Sequence, residues 1–184
     1  EPEPDSLAFL QPSTAAVPTE PVCLLRREGG SLRIHPDGKR LLESLGDAPV
    51  AVVAITGLSR TGKSFLLNQL LGRGPSDKWS RDHLSSRFGM DTDGTSGVWS
   101  CLVPTEMWRH EEAPNTRLLL IDTESLDSSK TTSRDGIGWD KQCFVLSVLL
   151  SSLLVYNSLG EIDENAIEHL HMVRDLTQHI HVSA

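Results

Sequence analysis

One loop constrains the fold of this sequence more than any other feature. Residues 57–64 have the sequence GLSRTGKS and match the pattern G-x-x-x-x-G-K-[ST]. Residues 50–55 before the loop form a continuous apolar run with β-branched side chains, which is typical of a strand buried on both faces of a parallel sheet. Residues 64–71 carry apolar side chains at helical spacing. The succession of strand, loop and helix predicts the opening of a β-α-β unit and hence an α/β fold.

Each part of this loop suits the binding of a phosphate chain. Gly57 and Gly62 let the backbone wrap closely around an anion, while the loop amides and the helix N-terminus direct partial positive charge toward it. Lys63 can reach the β and γ phosphates, and Ser64 can ligate Mg²⁺. The sequence therefore predicts a nucleotide-phosphate site with a magnesium ion.

Two further residues are candidates for the same site. Asp122 follows the apolar run 118–121, and an acidic residue at the carboxyl end of a buried strand lies near the ligand crevice of an open α/β sheet. From there Asp122 can hold the water shell of Mg²⁺. Thr95 belongs to a long polar loop, residues 73–97, where a threonine could bind Mg²⁺ and sense the γ-phosphate. Loops of this length are usually functional or mobile.

The remaining segments predict a three-layer α/β fold of the P-loop NTPase type, a mostly parallel central sheet flanked by helices. Residues 50–180 form the nucleotide core of a domain that covers 22–184, and the proline-rich residues 1–21 form a disordered leader. The amphipathic helix 162–180 has an apolar stripe of Ile162, Ala166, Ile167, Leu170, Val173, Leu176 and Ile180. The other predicted elements are a hairpin of strands 22–26 and 31–35, a helix carrying Leu41, Leu42 and Leu45 with Asp37 or Gly38 as its cap, strands 98–103 and 117–121, a helix 140–150 and a strand 153–156.

Charge and length exclude several classes of protein. The 184 residues are about one domain, and their net charge of −8 argues against a nucleic-acid binder. Residues 57–110 are an exception with seven basic and five acidic side chains, so an anion site is expected there. The longest apolar stretch, residues 143–156, is too short and too polar to span a membrane.

Several segments together resemble the guanylate-binding proteins, the large dynamin-like GTPases with a GB1/RHD3-type G domain. The phosphate loop carries Arg60 two residues before Gly62, residues 95–99 (TSGVW) resemble the family's first switch, and residues 118–124 (LLLIDTE) resemble its second. Residues 148–160 (VLLSSLLVYNSLG) are also typical of the family. The similarity runs in order from about residue 21 to residue 180, as expected for the N-terminal part of a truncated G domain.

The resemblance implies GTP hydrolysis with Mg²⁺ and a role for each candidate. Arg60 would be a cis-acting arginine finger that is oriented when two G domains form a homodimer, Glu124 would hold the attacking water, and Thr95 would close on the γ-phosphate. It also implies a cytoplasmic protein of innate immunity that reaches vesicle or vacuole membranes only through regions outside this sequence. The predicted nucleotide-binding residues are Gly57, Leu58, Ser59, Arg60, Thr61, Gly62, Lys63, Ser64, Phe65, Thr95 and Asp122, and the predicted metal ligands are Ser64 and Thr95.

Two departures from the family pattern leave a second function open. Ser125 replaces a glycine that usually ends the second switch, and Asp93 replaces a serine of the water relay. Serine has less conformational freedom than glycine, and a second carboxylate repels the γ-phosphate. The alternative is therefore a nucleotide-binding interaction module with little or no turnover. An ATPase or kinase is the third hypothesis, although its acidic pair is often adjacent, whereas Thr123 separates Asp122 from Glu124.

The base that the site recognises does not follow from these residues. The family reads guanine with an Arg-Asp pair on a later strand, and no Asn-Lys-x-Asp motif occurs. Arg174 and Asp175 form such a pair, but they lie within the predicted helix 162–180. We interpret them as part of its solvated face.

Overall fold

A computed structural model describes residues 20–28, 31–58, 60–71, 88, 97–105, 107–108, 111–123, 139–160 and 164–177. The predicted leader 1–21 and the polar loops 73–97 and 125–138 lie almost wholly outside these residues. The strands are β1 (Val22–Glu28), β2 (Ser31–Ile34), β3 (Val50–Thr56), β4 (Gly97–Leu102), β5 (Arg117–Asp122) and β6 (Leu153–Tyr156). The helices are α1 (Pro36–Leu45), α2 (Lys63–Leu70), α3 (Trp139–Leu150) and α4 (Glu164–Thr177).

The six strands form one mixed sheet in the order β2-β1-β4-β5-β3-β6. The strands β5, β3 and β6 are parallel, whereas β4 is antiparallel to both of its neighbours and β2 is antiparallel to β1. Four of the six strands therefore point the same way. Ile55 pairs with Asp122 on one side of β3, and Thr56 pairs with Tyr156 on the other. The carboxyl ends of the three parallel strands thus meet at one edge of the sheet.

Helices cover both faces of the sheet, which confirms the three-layer α/β fold. On β3, Ala54 packs in a core with Leu41 of α1 and Cys143 of α3. Its neighbour Ile55 points to the opposite face and packs with Leu67 of α2. Side chains alternate between the faces of a strand, so a run of apolar residues serves two cores. Burying each leucine contributes about 1.5–3 kcal/mol.

The start of α1 differs from the sequence prediction. The N-cap is His35, whose Nδ1 accepts a hydrogen bond from the backbone N–H of Asp37 at 3.3 Å. The prediction of Asp37 or Gly38 as the cap was wrong, because Pro36 has a fixed φ suited to the first helical position and begins the helix earlier. Gly38 instead lets α1 lie against β1, since a Cβ there would come within 2.6 Å of the Leu24 Cα.

The buried face of α4 also differs from the predicted stripe. Ala166 is buried as predicted, but Ile167 and Leu170 are 47% and 45% exposed. His169 takes part in the interface instead, since its ring lies 5.9 Å from the Phe144 ring and its Nδ1 lies 3.2 Å from the Tyr156 hydroxyl. The hydrogen bond to Tyr156 thus turns a histidine, which the apolar pattern omitted, toward α3 and β6. None of the helices described here has the length and apolar character needed to span a bilayer.

Candidate nucleotide-binding site

The phosphate loop begins at the carboxyl end of β3 and ends at the first turn of α2, as predicted. Gly57 is buried with a φ of 137°, and a Cβ there would come within 2.1 Å of the Asn157 carbonyl oxygen. Gly62 is the N-cap of α2 with a φ of 93°. Both φ angles lie where side chains are strained, so the motif needs glycine at both positions. The loop therefore leads into the helix N-terminus, where backbone amides favour an anion.

Lys63 lies inside the loop, and its side chain is only 6% exposed. Its Nζ donates to the carbonyl oxygen of Leu58 at 2.8 Å, and the hydroxyl of Thr61 donates to the same oxygen at 3.0 Å. Burial lowers the pKa of Lys63, and the nearby carboxyl of Asp122 partly offsets this effect. The ammonium group is thus held at the loop by contacts that a phosphate can replace.

Ser64 and Asp122 join the start of α2 to the end of β5. The hydroxyl of Ser64 donates to Asp122 Oδ2 at 2.6 Å. Among the described residues, the other oxygen, Oδ1, is buried and has no hydrogen-bond partner. Burial raises the pKa of Asp122 to about 6, against the opposing effects of the Ser64 hydrogen bond and of Lys63. A buried carboxylate with one unpaired oxygen would be stabilised by a cation.

This donor set fits Mg²⁺. Magnesium prefers oxygen ligands and is commonly bound through one or two carboxylates together with substrate phosphates. Asp122 supplies a carboxylate with an unpaired oxygen, and Ser64 supplies a hydroxyl oxygen beside it. Thr95, the other predicted metal ligand, lies outside the described residues.

Arg60 has an unusual backbone conformation. Its φ is 59°, the left-handed region that residues other than glycine seldom adopt, and its side chain is exposed. The predicted binding residue Leu58 is half-buried, whereas Phe65 is 60% exposed on α2. The loop therefore presents its arginine to solvent while it holds its lysine inside.

The structure brings together part of the predicted site. The phosphate loop, with Lys63 and Ser64, meets Asp122 at the edge where the parallel strands end. Ser59, Thr95 and Glu124 lie outside the described residues, so their predicted roles stay predictions. Two further residues whose roles are predicted to matter, Asp93 and Ser125, also lie outside them.

Two residues at this edge were missed by the sequence analysis. The Asn157 side chain donates to the Thr61 carbonyl oxygen at 2.9 Å, and the Thr123 hydroxyl donates to the Ile55 carbonyl oxygen at 3.0 Å. The signal for Asn157 was its place directly after the predicted strand 153–156, and the signal for Thr123 was its place beside Asp122 at the end of the predicted strand 117–121. Arg174 is exposed on α4, which agrees with its interpretation as part of a helix face.

Comparisons with known proteins agree with this geometry. The family model described as "Guanylate-binding protein, N-terminal domain" matches residues 30–184. Human guanylate-binding protein 3 is 38% identical over 165 residues, which cover 88% of this chain and 24% of the relative. Mouse guanylate-binding protein 7 is 38% identical over 163 residues, which cover 87% of this chain and 22% of the relative.

The human guanylate-binding protein 1 is 36% identical over 165 residues, 88% of this chain and 24% of the relative. The chain thus spans about a quarter of the length of these curated relatives. The match of the family model covers most of the chain and includes the phosphate loop and Asp122. The chain therefore belongs to the guanylate-binding protein family, with similarity to the N-terminal domain of that family.

Proposed function

We propose that this protein binds GTP with Mg²⁺ and hydrolyses it, and that dimerisation through this domain stimulates hydrolysis. The observation that carries nucleotide binding is the hydrogen bond of 2.6 Å between Ser64 and Asp122, beside the buried Lys63 at the start of α2. A lysine, a hydroxyl and a carboxylate at a helix N-terminus are the groups that a P-loop uses for phosphates and magnesium. The names of the curated relatives support a guanine nucleotide as the ligand.

In this proposal Lys63 binds the phosphates. Its ammonium group donates to the neutral Leu58 carbonyl at 2.8 Å. A phosphate oxygen carries negative charge, so its hydrogen bond with the ammonium group is stronger than that of a carbonyl. An arriving phosphate also raises the lowered pKa of Lys63, because an opposite charge favours the protonated form. Phosphate binding therefore draws Lys63 from Leu58 and keeps it charged.

Ser64 and Asp122 would hold the magnesium ion, with Thr95 added on the basis of the family resemblance. When bound, Mg²⁺ neutralises the charge that develops on the β and γ phosphates. The buried Oδ1 of Asp122 supports this assignment, because it is the one carboxylate oxygen of the described site without a hydrogen bond. The protein itself keeps that carboxylate and the Ser64 hydroxyl side by side.

Hydrolysis depends on residues that the resemblance assigns. Arg60 is exposed at the loop, where its guanidinium can stabilise the charge of the transition state. Glu124 would order the attacking water. The second candidate, a nucleotide-binding module with little turnover, is favoured by Asp93 and Ser125, the two departures from the family sequence.

The test is a fluorescence titration of the protein with labelled GTP and ATP in the presence of Mg²⁺. We expect GTP to bind more tightly than ATP, and Lys63→Ala to weaken GTP binding at least tenfold, about 1.4 kcal/mol. Lys39→Ala is a matched control, because Lys39 is an exposed lysine on α1 that pairs only loosely with Glu43 at 3.7 Å.

Three results would contradict parts of the proposal. Equal affinity of Lys63→Ala and wild type for GTP would overturn the site, and equal affinity for ATP and GTP would overturn the guanine preference. Phosphate release at saturating GTP then separates the two candidate functions. Tight GTP binding without phosphate release would favour the interaction module over the enzyme.

A further inference from the structure

Asn157 lies directly after β6 and contacts the phosphate loop at two places. Its backbone N–H donates to the Thr56 carbonyl oxygen at 2.8 Å and so continues the pairing of β3 with β6. Its own carbonyl oxygen lies against Gly57, where a Cβ would come within 2.1 Å. Its side-chain Nδ2 donates to the Thr61 carbonyl oxygen at 2.9 Å and lies 3.4 Å from the Thr61 hydroxyl. One residue outside the loop thus joins the loop's first and fifth residues.

The hydrogen bond to Thr61 fixes the direction of one peptide plane. In a trans peptide the C=O and the following N–H point to opposite sides. No cis peptide bond occurs in the described part of the chain, so the N–H of Gly62 points away from Asn157. Backbone N–H groups of such a loop are what bind phosphate oxygens. Asn157 therefore sets the direction of an amide in the part of the loop that faces the ligand.

The same hydrogen bond stabilises the strained residue beside it. Arg60 has a φ of 59°, and a residue other than glycine keeps such a conformation only where its surroundings impose it. The carbonyl of the next residue, Thr61, is anchored to Asn157, while the Thr61 hydroxyl donates to Leu58 on the other side of Arg60. These two contacts hold Thr61 in place and so restrict the backbone of Arg60.

We propose that Asn157 is a positioning residue that holds the phosphate loop in its nucleotide-binding conformation through the Thr61 carbonyl. This role rests on the proposed function, since it assumes that the loop binds the phosphates of GTP. Asn157 itself need not touch the nucleotide. It acts through Thr61 and Gly57, and without its side-chain amide the backbone around Arg60 relaxes to conformations with fewer amides directed at the phosphates.

The chemistry of asparagine suits this position. The amide group donates a hydrogen bond without adding charge beside an anion site. An aspartate of the same shape would place a carboxylate against the Thr61 carbonyl oxygen, where neither group can donate. Leucine branches at the same carbon and lacks any donor, so Asn157→Leu removes the hydrogen bond without opening a cavity.

The experiment measures GTP affinity and thermal stability of Asn157→Ala and Asn157→Leu in the intact protein. We expect both variants to bind GTP about tenfold more weakly, since a partly buried hydrogen bond and the ordering of the loop are lost together. Ser152→Ala is the matched control, because Ser152 Oγ accepts a hydrogen bond from the Val52 N–H at the opposite end of the same strand pair. We expect this control to keep its GTP affinity within about twofold at a similar change in melting temperature.

A double-mutant cycle with Arg60→Gly tests the mechanism. Glycine adopts positive φ readily, so a loop with glycine at position 60 depends less on Asn157. We expect Asn157→Ala to weaken GTP binding by only about threefold in the Arg60→Gly background. Equal losses in both backgrounds would overturn the link to Arg60, and a variant at position 157 with wild-type affinity would overturn the positioning role.

The experiments distinguish a failure of the proposed GTP binding from a failure of the proposed role of Asn157. If wild type and Lys63→Ala bind GTP equally, the proposed function is wrong whatever happens at position 157. If Lys63→Ala loses affinity but Asn157→Ala and Asn157→Leu do not, the function stands and only the role of Asn157 is wrong. A loss of affinity that Ser152→Ala reproduces would mean that Asn157 supports the sheet rather than the loop.

Discussion

Ser64 and Asp122 share one hydrogen bond of 2.6 Å across the junction of α2 and β5, and the second oxygen of that carboxylate is buried without a hydrogen bond in the described part of the chain. Burial without full hydrogen bonding is unfavourable for a charged group. The pKa of Asp122, raised to about 6, expresses the same fact. A site that is ready for a cation is therefore a source of instability while the cation is absent.

The first prediction is that Asp122→Asn stabilises the protein in the absence of nucleotide and Mg²⁺. A carboxyl whose pKa rises from 3.8 in the unfolded chain to about 6 in the folded chain favours the folded state only while it is protonated. The contribution of Asp122 to stability therefore falls as the pH rises from 3.8 to about 6, and above that the loss is complete. A shift of that size corresponds to at most about 3 kcal/mol.

Thermal unfolding of wild type and Asp122→Asn at about pH 4 and about pH 7 measures this effect. We expect the two proteins to have similar melting temperatures at the lower pH and the variant to be more stable at the higher pH. The same variant should bind GTP less tightly when Mg²⁺ is present. A wild type that is as stable as Asp122→Asn at both pH values would contradict the raised pKa.

The second prediction concerns the hydroxyl of Ser64. Ser64→Ala removes a proposed Mg²⁺ ligand and leaves Asp122 without its hydrogen bond. Wild type should bind GTP more tightly with Mg²⁺ than with a chelator. In Ser64→Ala the ratio of these two affinities should be about tenfold smaller. Lys63→Ala serves as the comparison, because loss of the ammonium group should weaken binding under both conditions. An undiminished effect of Mg²⁺ in Ser64→Ala would exclude Ser64 as a ligand.

The third prediction compares two glycines with positive φ. A Cβ at Gly57 would come within 2.1 Å of the Asn157 carbonyl oxygen, whereas a Cβ at Gly46 would meet nothing within 4 Å. Gly46→Ala should lower the free energy of unfolding by about 1–3 kcal/mol, from backbone strain alone. Gly57→Ala adds a steric clash with Asn157, so it should be destabilised further and should bind GTP weakly. Denaturant titration of both variants checks the order, and equal losses would show that Asn157 moves away at little cost.

The residues of the site that belong to a local motif or end an apolar strand could be predicted from the sequence. The contacts between residues far apart in the sequence could not. Lys63 and Ser64 follow from a local motif between a strand and a helix, and Asp122 follows from its place at the end of an apolar run. Asn157 also follows a strand, but its partner Thr61 is 96 residues away, and no pattern specifies that hydrogen bond. The φ of Arg60 is likewise set by contacts rather than by its residue type.

The same distinction holds for the fold. Burial of both faces of β3 was predicted, because a continuous apolar run is typical of a strand with a hydrophobic core on each side. The buried face of α4 was only partly predicted, because His169 is polar by composition and becomes an interface residue through the Tyr156 hydroxyl. Apolar periodicity does not detect a polar side chain that joins an interface through its hydrogen bond.

The fourth prediction separates the enzyme from the interaction module. Ser125→Gly restores backbone freedom at the second switch, and Asp93→Ser removes a carboxylate that the family resemblance places near the γ-phosphate. The double variant should release phosphate faster than wild type at saturating GTP. The single variants show which departure matters. Turnover that stays level or falls in the double variant would mean that other residues compensate for both changes.

The last prediction concerns Arg60, whose side chain and backbone can be tested apart. Negative charge builds up around the β–γ bridge in the transition state, and a guanidinium there stabilises the transition state more than it stabilises bound GTP. Arg60→Ala should therefore keep GTP affinity within about fivefold while turnover falls by about 10³, at the lower end of the effect of arginine fingers. Arg60→Gly removes the same guanidinium but relieves the backbone strain at a φ of 59°. It should lose turnover equally and bind GTP at least as tightly as Arg60→Ala.

If dimer contact orients the Arg60 side chain, the specific activity of wild type rises with protein concentration, and that of both variants does not change with concentration. Phosphate release measured over a range of protein concentrations decides the matter, since a variant with wild-type turnover and the same concentration dependence would make Arg60 a loop residue without a catalytic role.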